Sequence, residues 1–349
     1  MDILSFLPPF VNTMILPRSC GILKGKQQMK ICVIGCGRWG SLITWYLSGK
    51  KELDVTLYGR ESSETMQRFI KERRNDLLSL PESVKLSTDI SCAKDADVII
   101  ISIGSQGLSA LMDELAPLGL KNKIFVLCMK GIEISTGRRL SEVVTDSTDV
   151  SNKVAVWLGP GHVQEFYAGI PNCMVIDSND EDTKRMLVNE FSSELIRFYY
   201  GEDLLGNEIG AAAKNVIGIA AGILDGLGLS TLKGALMSRG TREVARLIAK
   251  IGGNELSAYG LCHLGDYEAT VFSKFSHNRA FGEALVKGEH FDKLAEGYYT
   301  AKAIVALSEK HGVDMPICRC VYGIIHEGKD AKSEASALFE RSIKTEFYK

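Results

Sequence analysis

Three glycines end the first apolar strand pattern of the chain and constrain what can follow it. Gly35, Gly37 and Gly40 lie in the run KICVIGCGRWG, where β-branched residues stop at a Gly-x-Gly-x-x-Gly turn and a helical pattern begins. In such a unit the first glycine permits the turn, the second lets a pyrophosphate approach the backbone, and the third lets the helix pack on the strand. Because a second strand pattern follows at 54–60, we predict a dinucleotide site rather than a turn without a ligand.

Short apolar runs alternate with helical stretches through the first 200 residues. Strands are predicted at 30–35, 54–58, 84–87, 97–103, 123–129 and 154–158, and two more at 173–177 and 197–200 flank a charged helix at 180–192. Near-continuous apolar strands between helices are typical of a parallel, doubly wound sheet covered on both faces. The predicted fold is therefore an α/β Rossmann-type domain at 29–202.

The strand signal disappears at about residue 203. The segment 204–225 is rich in Ala and Gly and apolar on nearly every side, which predicts a helix buried in the middle of a domain. Helical patterns continue at 234–251, 279–287, 297–312 and 315–327. We predict an all-helical C-terminal domain for substrate binding and catalysis at 203–328. The charged tail at 329–349 is expected to be a loose end or a surface helix.

Composition narrows the classes of partner. A net charge of −2 provides no field for nucleic acid or an anionic membrane, and no segment is expected to cross a membrane, so the partner is predicted to be a small molecule. Nine scattered cysteines without a CxxC pair indicate reduced thiols, no metal site and a cytoplasmic protein. Residues 1–28 lack the order of charged and apolar residues of a signal peptide. They are interpreted as an N-terminal extension, or as the product of a misassigned start ahead of Met29.

One lysine interrupts the most apolar helix of the chain. Lys214 follows three alanines and precedes Asn215 and a further apolar run. Burial among apolar side chains lowers the pKa of a lysine, and a lowered pKa allows the amine to exchange protons near neutral pH. The alternative is a structural lysine that reaches the domain edge or pairs with Asp225 or Glu208. With a dinucleotide motif in the same chain, the catalytic interpretation is favoured.

Polar residues also concentrate in the loop-like stretch 260–282. Asp266 is expected to orient a hydroxyl or to tune Lys214, and Asn278 with Arg279 at a helix start is expected to hold phosphate. Ser276 is as consistent with capping that helix as with binding. Such a concentration of hydrogen-bond donors in a loop indicates a polar ligand.

Two further motifs follow apolar strands. Lys130 in MKGIE lies at the carboxyl end of its strand, where ligands bind in open α/β sheets. The GPGHVQE run at 159–165 has the same relative place, and its Gly-Pro-Gly turn either receives an anion or is only a turn. Ligand contact is favoured for Lys130 and a structural role for His162.

In order and spacing, the motifs between about 29 and 328 resemble those of the bacterial-type NAD(P)-dependent glycerol-3-phosphate dehydrogenases. They are GCGRWG, LYGR, MKGIE, GPGHVQE, EIGAAAKNVIGIAAGILDGLGL, GLCHLGD, NRAFG, EGYYTAKA and DMPICRCVYGIIHEG. The resemblance implies reversible reduction of dihydroxyacetone phosphate to sn-glycerol 3-phosphate, in which Lys214 supplies the proton. It also implies a role in phospholipid synthesis and a homodimer.

The motifs and the resemblance together predict a set of site residues. Lys214 and Asp266 are expected to be catalytic. Substrate binding is expected of Lys130, Gly159, Gly161, Thr270, Ser276, His277 and Asn278, and cofactor binding of Gly35, Gly37, Arg38, Trp39, Gly40, Arg60, Lys130, Val163, Arg279 and Glu296. The cofactor is expected to be NADP or NAD, with NADPH preferred: Arg60 after the second strand suits a 2′-phosphate, whereas Glu61 suits a free 2′-hydroxyl.

The chain departs from the family pattern at two places. The family usually has Ser-Arg-Asn-Arg where this chain has Ser-His-Asn-Arg at 276–279, and Gly-Pro-Ser where it has Gly-Pro-Gly at 159–161. A guanidinium and a hydroxyl are therefore missing, which predicts weaker phosphate binding unless Arg279 or backbone amides compensate. A dehydrogenase for another small phosphorylated or carboxylated compound, and a non-catalytic NAD(P)-binding regulator, are the alternatives.

Overall fold

The computed structural model of the protein describes residues 28–343 and 345–346. The extension predicted at 1–28 therefore lies, except for its last residue, outside the described residues. Eight strands form one sheet: β1 Met29–Ile34, β2 Leu53–Tyr58, β3 Lys85–Ser87, β4 Val98–Ile101, β5 Ile124–Leu127, β6 Lys153–Leu158, β7 Asn172–Ser178 and β8 Ile196–Tyr200. All eight strands that the apolar runs predict are present, and most bounds differ by one or two residues.

Helices cover the sheet and then continue alone. Those of the sheet part are α1 Arg38–Ser48, α2 Glu64–Glu72, α3 Leu108–Leu115, α4 Leu140–Ser147, α5 Val163–Tyr167 and α6 Glu181–Phe191. Those of the helical part are α7 Leu204–Gly226, α8 Lys233–Lys250, α9 His277–Lys287, α10 Glu296–His311, α11 Pro316–Glu327 and α12 Ala331–Phe339. The Rossmann-type sheet followed by a helical part is confirmed.

Alternation along the strands produces two apolar layers. On β1, Ile31 and Val33 belong to one core cluster, whereas Cys32 and Ile34 belong to the other. Successive side chains of a strand point to opposite faces, so both faces of the sheet are buried. A third core surrounds α7 in the helical part.

The sequence predicts a parallel sheet, and this is wrong for one strand: β7 runs antiparallel to β6. The strand order is β3-β2-β1-β4-β5-β6-β7-β8, and Trp157 of β6 pairs with Ile176 of β7. The connection from β6 to β7 contains only the five-residue α5, which is too short to carry the chain back across the sheet. The chain therefore reverses, and β8 follows β7 in parallel.

The reversal determines where α7 begins. Since β8 ends at the edge of the sheet opposite to the carboxyl end of β5, α7 returns along the sheet and packs against β6 and β7. Ten residues of helix rise about 15 Å, close to the length of one strand. The tenth residue after Leu204 is Lys214, which the fold thus brings to the carboxyl ends of the parallel strands.

By length and composition α7 is the one helix among the described residues that could cross a membrane. However, 78% of its most apolar window is buried inside the protein. The other helices supply this burial, and α7 is the core helix that the sequence predicts.

Glycines let α7 and α9 touch through their backbones. A Cβ on Gly222 would lie 1.9 Å from the carbonyl oxygen of Arg279, and a Cβ on Gly282 would lie 2.2 Å from that of Ile219. Both distances are far below van der Waals contact. At these two glycines no side chain separates α7 from α9, so the two helix backbones are in direct contact.

Gly222→Ala is expected to destabilise the fold by about 2–3 kcal/mol, because the new methyl group must push α9 away from α7. Gly234→Ala is the matched control. This glycine lies in α8, and a Cβ built on it would meet open space, so alanine should leave the free energy of unfolding unchanged or raise it by up to about 1 kcal/mol. Urea unfolding of both variants tests this, and equal stabilities would contradict the close packing.

Candidate active site

A cavity of about 530 Å³ lies between the carboxyl ends of the parallel strands and the helical part. Its walls come from the turn after β1, the segments after β4, β5 and β6, the middle of α7, and the stretch from Asp266 to Asn278. Predicted site residues on its walls are Gly35, Gly37, Arg38, Trp39, Lys130, Gly161, Val163, Lys214, Asp266, Thr270, Ser276, His277, Asn278 and Glu296.

The glycine turn has the geometry that a dinucleotide requires. Gly35 has φ +113°, and its missing Cβ would lie 2.2 Å from the carbonyl oxygen of Ser102. Gly40 packs against the turn, where a Cβ would lie 1.8 Å from the carbonyl oxygen of Gly35, whereas Gly37 faces open space. Helix α1 begins directly after Gly37 without a side-chain cap or an acidic residue in its first turn. Its free amides fit the pyrophosphate of a dinucleotide.

Two lysines share one carboxylate on the wall opposite this turn. Oδ2 of Asp266 lies 2.5 Å from Nζ of Lys130 and 2.7 Å from Nζ of Lys214. Lys130 also donates to the carbonyl oxygen of Gly159 at 2.8 Å, and Lys214 donates to Oγ1 of Thr270 at 2.7 Å. The group joins the end of β5, the middle of α7 and a π-helical turn at Glu268–Phe272.

Burial sets the protonation behaviour of this cluster. Lys214 is 8% exposed, and burial lowers its pKa to about 7, with the charge of Asp266 opposing the shift and that of Lys130 adding to it. Asp266 is 1% exposed, and its Oδ1 has no hydrogen-bond partner in the described residues. A buried acceptor without a donor indicates a place for a ligand hydroxyl. The structural pairings of Lys214 with Asp225 or Glu208 that the sequence left open are wrong.

The start of α9 forms a second wall. Ser276 caps this helix by accepting from the amide of Arg279 at 3.3 Å, and it also lines the cavity. Asn278 donates to Oδ1 of Asn215 at 3.0 Å and accepts from the amide of Gly297 at 2.9 Å. Its amide group is thus held between α7 and α10.

Local structure explains one of the two residues that differ from the family pattern. Gly161 has φ +135°, and a Cβ there would lie 2.3 Å from Cε2 of Phe166, so this backbone excludes a serine. His277 accepts a hydrogen bond at Nε2 from Nη1 of Arg38, at 2.9 Å. His162, for which the sequence favours a structural role, lines the cavity, and its Nε2 is buried without a partner in the described residues.

Four predicted site residues do not line the cavity: Gly40, Arg60, Gly159 and Arg279. The guanidinium of Arg279 pairs with Asp225 at 2.5 Å and Glu283 at 3.2 Å, so it cannot provide the compensation for phosphate that the sequence suggests. Arg60 lies after β2 and pairs with Glu114 at 2.6 Å, with 62% of its side chain exposed. The pairs of Arg279 with Asp225 and of Arg60 with Glu114 could not be foreseen, because each joins residues 54 positions apart.

The sequence missed two residues that orient the site. Ser105, just beyond β4, donates from its amide at 3.2 Å and its hydroxyl at 2.6 Å to Glu296. Burial raises the pKa of that glutamate, and the two donors oppose the rise. Asn215 positions Asn278, as described above. The rule that singled out Lys130, a polar residue after an apolar strand, also applies to Ser105 and could have found it.

The fold and the cavity define a dehydrogenase that binds a dinucleotide on a Rossmann-type sheet and closes its site with a helical part. Two family models match the chain: the NAD-dependent glycerol-3-phosphate dehydrogenase N-terminus over residues 30–184 and the corresponding C-terminus over residues 203–336. The chain belongs to the NAD-dependent glycerol-3-phosphate dehydrogenase family.

Relatives match over nearly their whole length. The glycerol-3-phosphate dehydrogenase [NAD(P)+] of Prosthecochloris aestuarii is 36% identical over 91% of this chain and 100% of that protein. That of Streptomyces coelicolor is 35% identical over 92% and 99%. The crystal structure of glycerol-3-phosphate dehydrogenase from Coxiella burnetii superposes with a TM-score of 0.84 at 29% identity, covering 90% of this chain and 99% of that one.

Asp266→Asn is expected to lower the pKa of Lys214 further, because the carboxylate raises that pKa and the charge of Lys130 would then act alone. An NMR titration of protein with ¹³Cε-labelled lysine measures this shift, with the Lys214 signal assigned as the one absent from Lys214→Met. In the control Asp225→Asn, about 16 Å further along α7, the signal should not move. A Lys214 pKa that stays constant or rises in Asp266→Asn would refute the arrangement.

Proposed function

We propose that this chain catalyses the reversible, NAD(P)H-dependent reduction of dihydroxyacetone phosphate to sn-glycerol 3-phosphate. The observation that carries this proposal is a buried amine, Lys214, with a pKa of about 7 in the same cavity as the dinucleotide turn. The named activity of relatives that match over more than nine tenths of this chain supports it.

For the cofactor we propose NADP or NAD, with NADPH preferred. The amides at the start of α1 would hold the pyrophosphate, and Trp39 and Glu296 on the cavity wall would contact the cofactor. Arg60 is exposed enough to leave Glu114 for a 2′-phosphate. When bound, the reduced nicotinamide supplies the hydride that the ketone carbon accepts.

The residues of the chain supply the proton and the electrostatic stabilisation. As hydride reaches the carbon, the carbonyl oxygen becomes an alkoxide, and Lys214 donates a proton from Nζ to it. Lys130 and the ammonium of Lys214, both largely buried, stabilise the developing negative charge. Oδ1 of Asp266 is available to accept the hydrogen bond of the substrate's hydroxyl group. In the oxidation direction the neutral amine of Lys214 takes the proton back.

We also propose a role for each of the two domains and a cellular compartment for the protein. Residues 29–202 would bind the dinucleotide and residues 203–328 the substrate and its proton donor, in a cytoplasmic homodimer that supplies glycerol phosphate for phospholipids. The eight free cysteines of the described residues support a reducing compartment.

Lys214→Ala is expected to lower kcat by about 10²- to 10⁴-fold, the usual contribution of a general acid. NADPH affinity, measured by fluorescence titration, should stay within about twofold, because the amine acts on the substrate. Lys184→Ala is the matched control: that lysine is also buried but donates to the carbonyl oxygen of Gly201, outside the cavity, so turnover should persist. Near-normal turnover of Lys214→Ala would exclude its role as proton donor.

The pH dependence should have opposite signs in the two directions. Reduction needs the ammonium form of Lys214, so kcat/KM for dihydroxyacetone phosphate should fall as pH rises through about 7. Oxidation of sn-glycerol 3-phosphate needs the neutral amine and should rise over the same interval. Steady-state rates from pH 5.5 to 9 in both directions measure this. Parallel profiles for reduction and oxidation would show that another group transfers the proton.

A different substrate of similar size is the second candidate, because Gly161 and His277 replace a serine and an arginine of the family pattern. A panel of dihydroxyacetone phosphate, dihydroxyacetone and small 2-keto acids, each assayed with NADH and NADPH, distinguishes the candidates. The highest kcat/KM should belong to dihydroxyacetone phosphate.

A further inference from the structure

Arg38 is a cation on the cavity wall without a charged partner among the described residues. Arg38 is the first residue of α1 and is about half buried. Its guanidinium donates to two neutral acceptors, Nε2 of His277 at 2.9 Å and Oε1 of Gln164 at 3.4 Å. Burial lowers its pKa, and no carboxylate of the described residues opposes that shift. Because a cation partly withdrawn from water is stabilised by an anion, this one indicates a place for an anionic ligand.

His277, the histidine beside Arg38, is neutral, so it neither balances the charge of Arg38 nor adds a second positive charge. Nδ1 of His277 lies 3.2 Å from the carbonyl oxygen of Leu294, which can only accept, so Nδ1 carries the proton. Nε2 is therefore the lone-pair nitrogen of a neutral imidazole, and Arg38 donates to it. Burial and the charge of Arg38 both lower the pKa of His277, which keeps the ring neutral.

The contact joins two helix N-termini across the cavity. Arg38 begins α1 and His277 begins α9, so the positive ends of both helix dipoles face the same corner. A guanidinium has five N–H donors, and two are used here, which leaves three for a ligand. Ser276, which precedes His277 in the chain, also lines the cavity.

The balance of charge in the cavity favours a phosphate. Lys130 and Lys214 share the single carboxylate of Asp266, which leaves one positive charge, and Arg38 adds another. Glu296 is the remaining carboxylate of the described residues on the cavity wall and offsets one of these charges, so the wall keeps one positive charge in excess. This excess favours an anionic ligand such as a phosphate.

We propose that Arg38 binds the phosphate group of the substrate and is a specificity-determining residue, with His277 as the neutral support that holds its guanidinium in place. This inference rests on the proposed function. It reassigns Arg38 from the cofactor to the substrate, and it supplies from α1 the guanidinium that position 277 lacks. The competing source of the same chemistry is the pyrophosphate of the dinucleotide.

Arg38→Ala distinguishes the two sources. KM for dihydroxyacetone phosphate should rise about 10- to 100-fold, the effect of losing charge-assisted hydrogen bonds, while the Kd of NADPH without substrate changes less than threefold. The preference for dihydroxyacetone phosphate over unphosphorylated dihydroxyacetone should fall by the same factor, because only the phosphate contact is lost. A raised Kd of NADPH with an unchanged KM would overturn the proposal in favour of the pyrophosphate.

A rescue variant and a control complete the test. Arg38→Ala combined with His277→Arg returns a guanidinium to the same corner and should recover part of the lost KM effect, which a merely structural role of Arg38 would not predict. Arg185→Ala removes an exposed arginine of α6 that pairs with Glu181, and its kinetics should equal those of the wild type. No recovery in the double variant would count against a phosphate site in this corner.

Calorimetry separates this inference from the proposed function. Wild-type protein should bind sn-glycerol 3-phosphate, and Arg38→Ala should bind it about 10- to 100-fold more weakly, whether or not either protein turns over. A wild type without reductase activity would refute the proposed function alone. Equal affinities of wild type and Arg38→Ala for sn-glycerol 3-phosphate would refute the role of Arg38.

Discussion

The site depends on one buried carboxylate that faces two ammonium groups. Asp266 contacts Lys130 at the end of β5 and Lys214 in the middle of α7, so a single side chain joins the sheet part to the helical part. Taking three charges out of water is costly, and removing one member of such a group generally costs about 3–5 kcal/mol. Burial, and to a smaller extent Lys130, lower the pKa of Lys214, and the carboxylate of Asp266 opposes this shift. The same contact thus fixes both the geometry and the protonation of the amine.

The direction of one strand makes this contact possible. Had β7 continued the parallel pattern, α7 would begin at the carboxyl edge of the sheet, and its middle would lie away from Lys130. The short connection after β6 instead reverses the chain, and α7 returns to the edge where parallel strands end. A feature that looks like an irregularity of the sheet therefore positions the proton donor.

Much of this architecture could be predicted from local patterns. The apolar runs located all eight strands, and the polar interruption of an apolar helix singled out Lys214, because burial of that helix is readable from its composition. The glycine turn could also be predicted, because each of its three glycines meets a separate steric requirement. These signals lie within about twenty residues of the features they predict.

Pairings between distant residues could not be predicted. The contact of Arg38 with His277 spans 239 positions, and the ion pair of Arg279 with Asp225 spans 54. An arginine at a helix start has the same local pattern whether it faces a ligand or a carboxylate of a neighbouring helix. The direction of β7 could not be predicted for a related reason: the sequence of an apolar strand does not indicate whether it runs parallel or antiparallel to its neighbour.

The backbone contact between α7 and α9 has a consequence for how such a site can diverge. Since Gly222 and Gly282 leave no side-chain layer between the two helices, their relative position is fixed by main-chain atoms. Replacing the residues that begin α9 therefore changes which ligand groups are recognised without displacing the amine on α7. Substrate preference and proton transfer become separately adjustable, and selection can act on one while the other is retained.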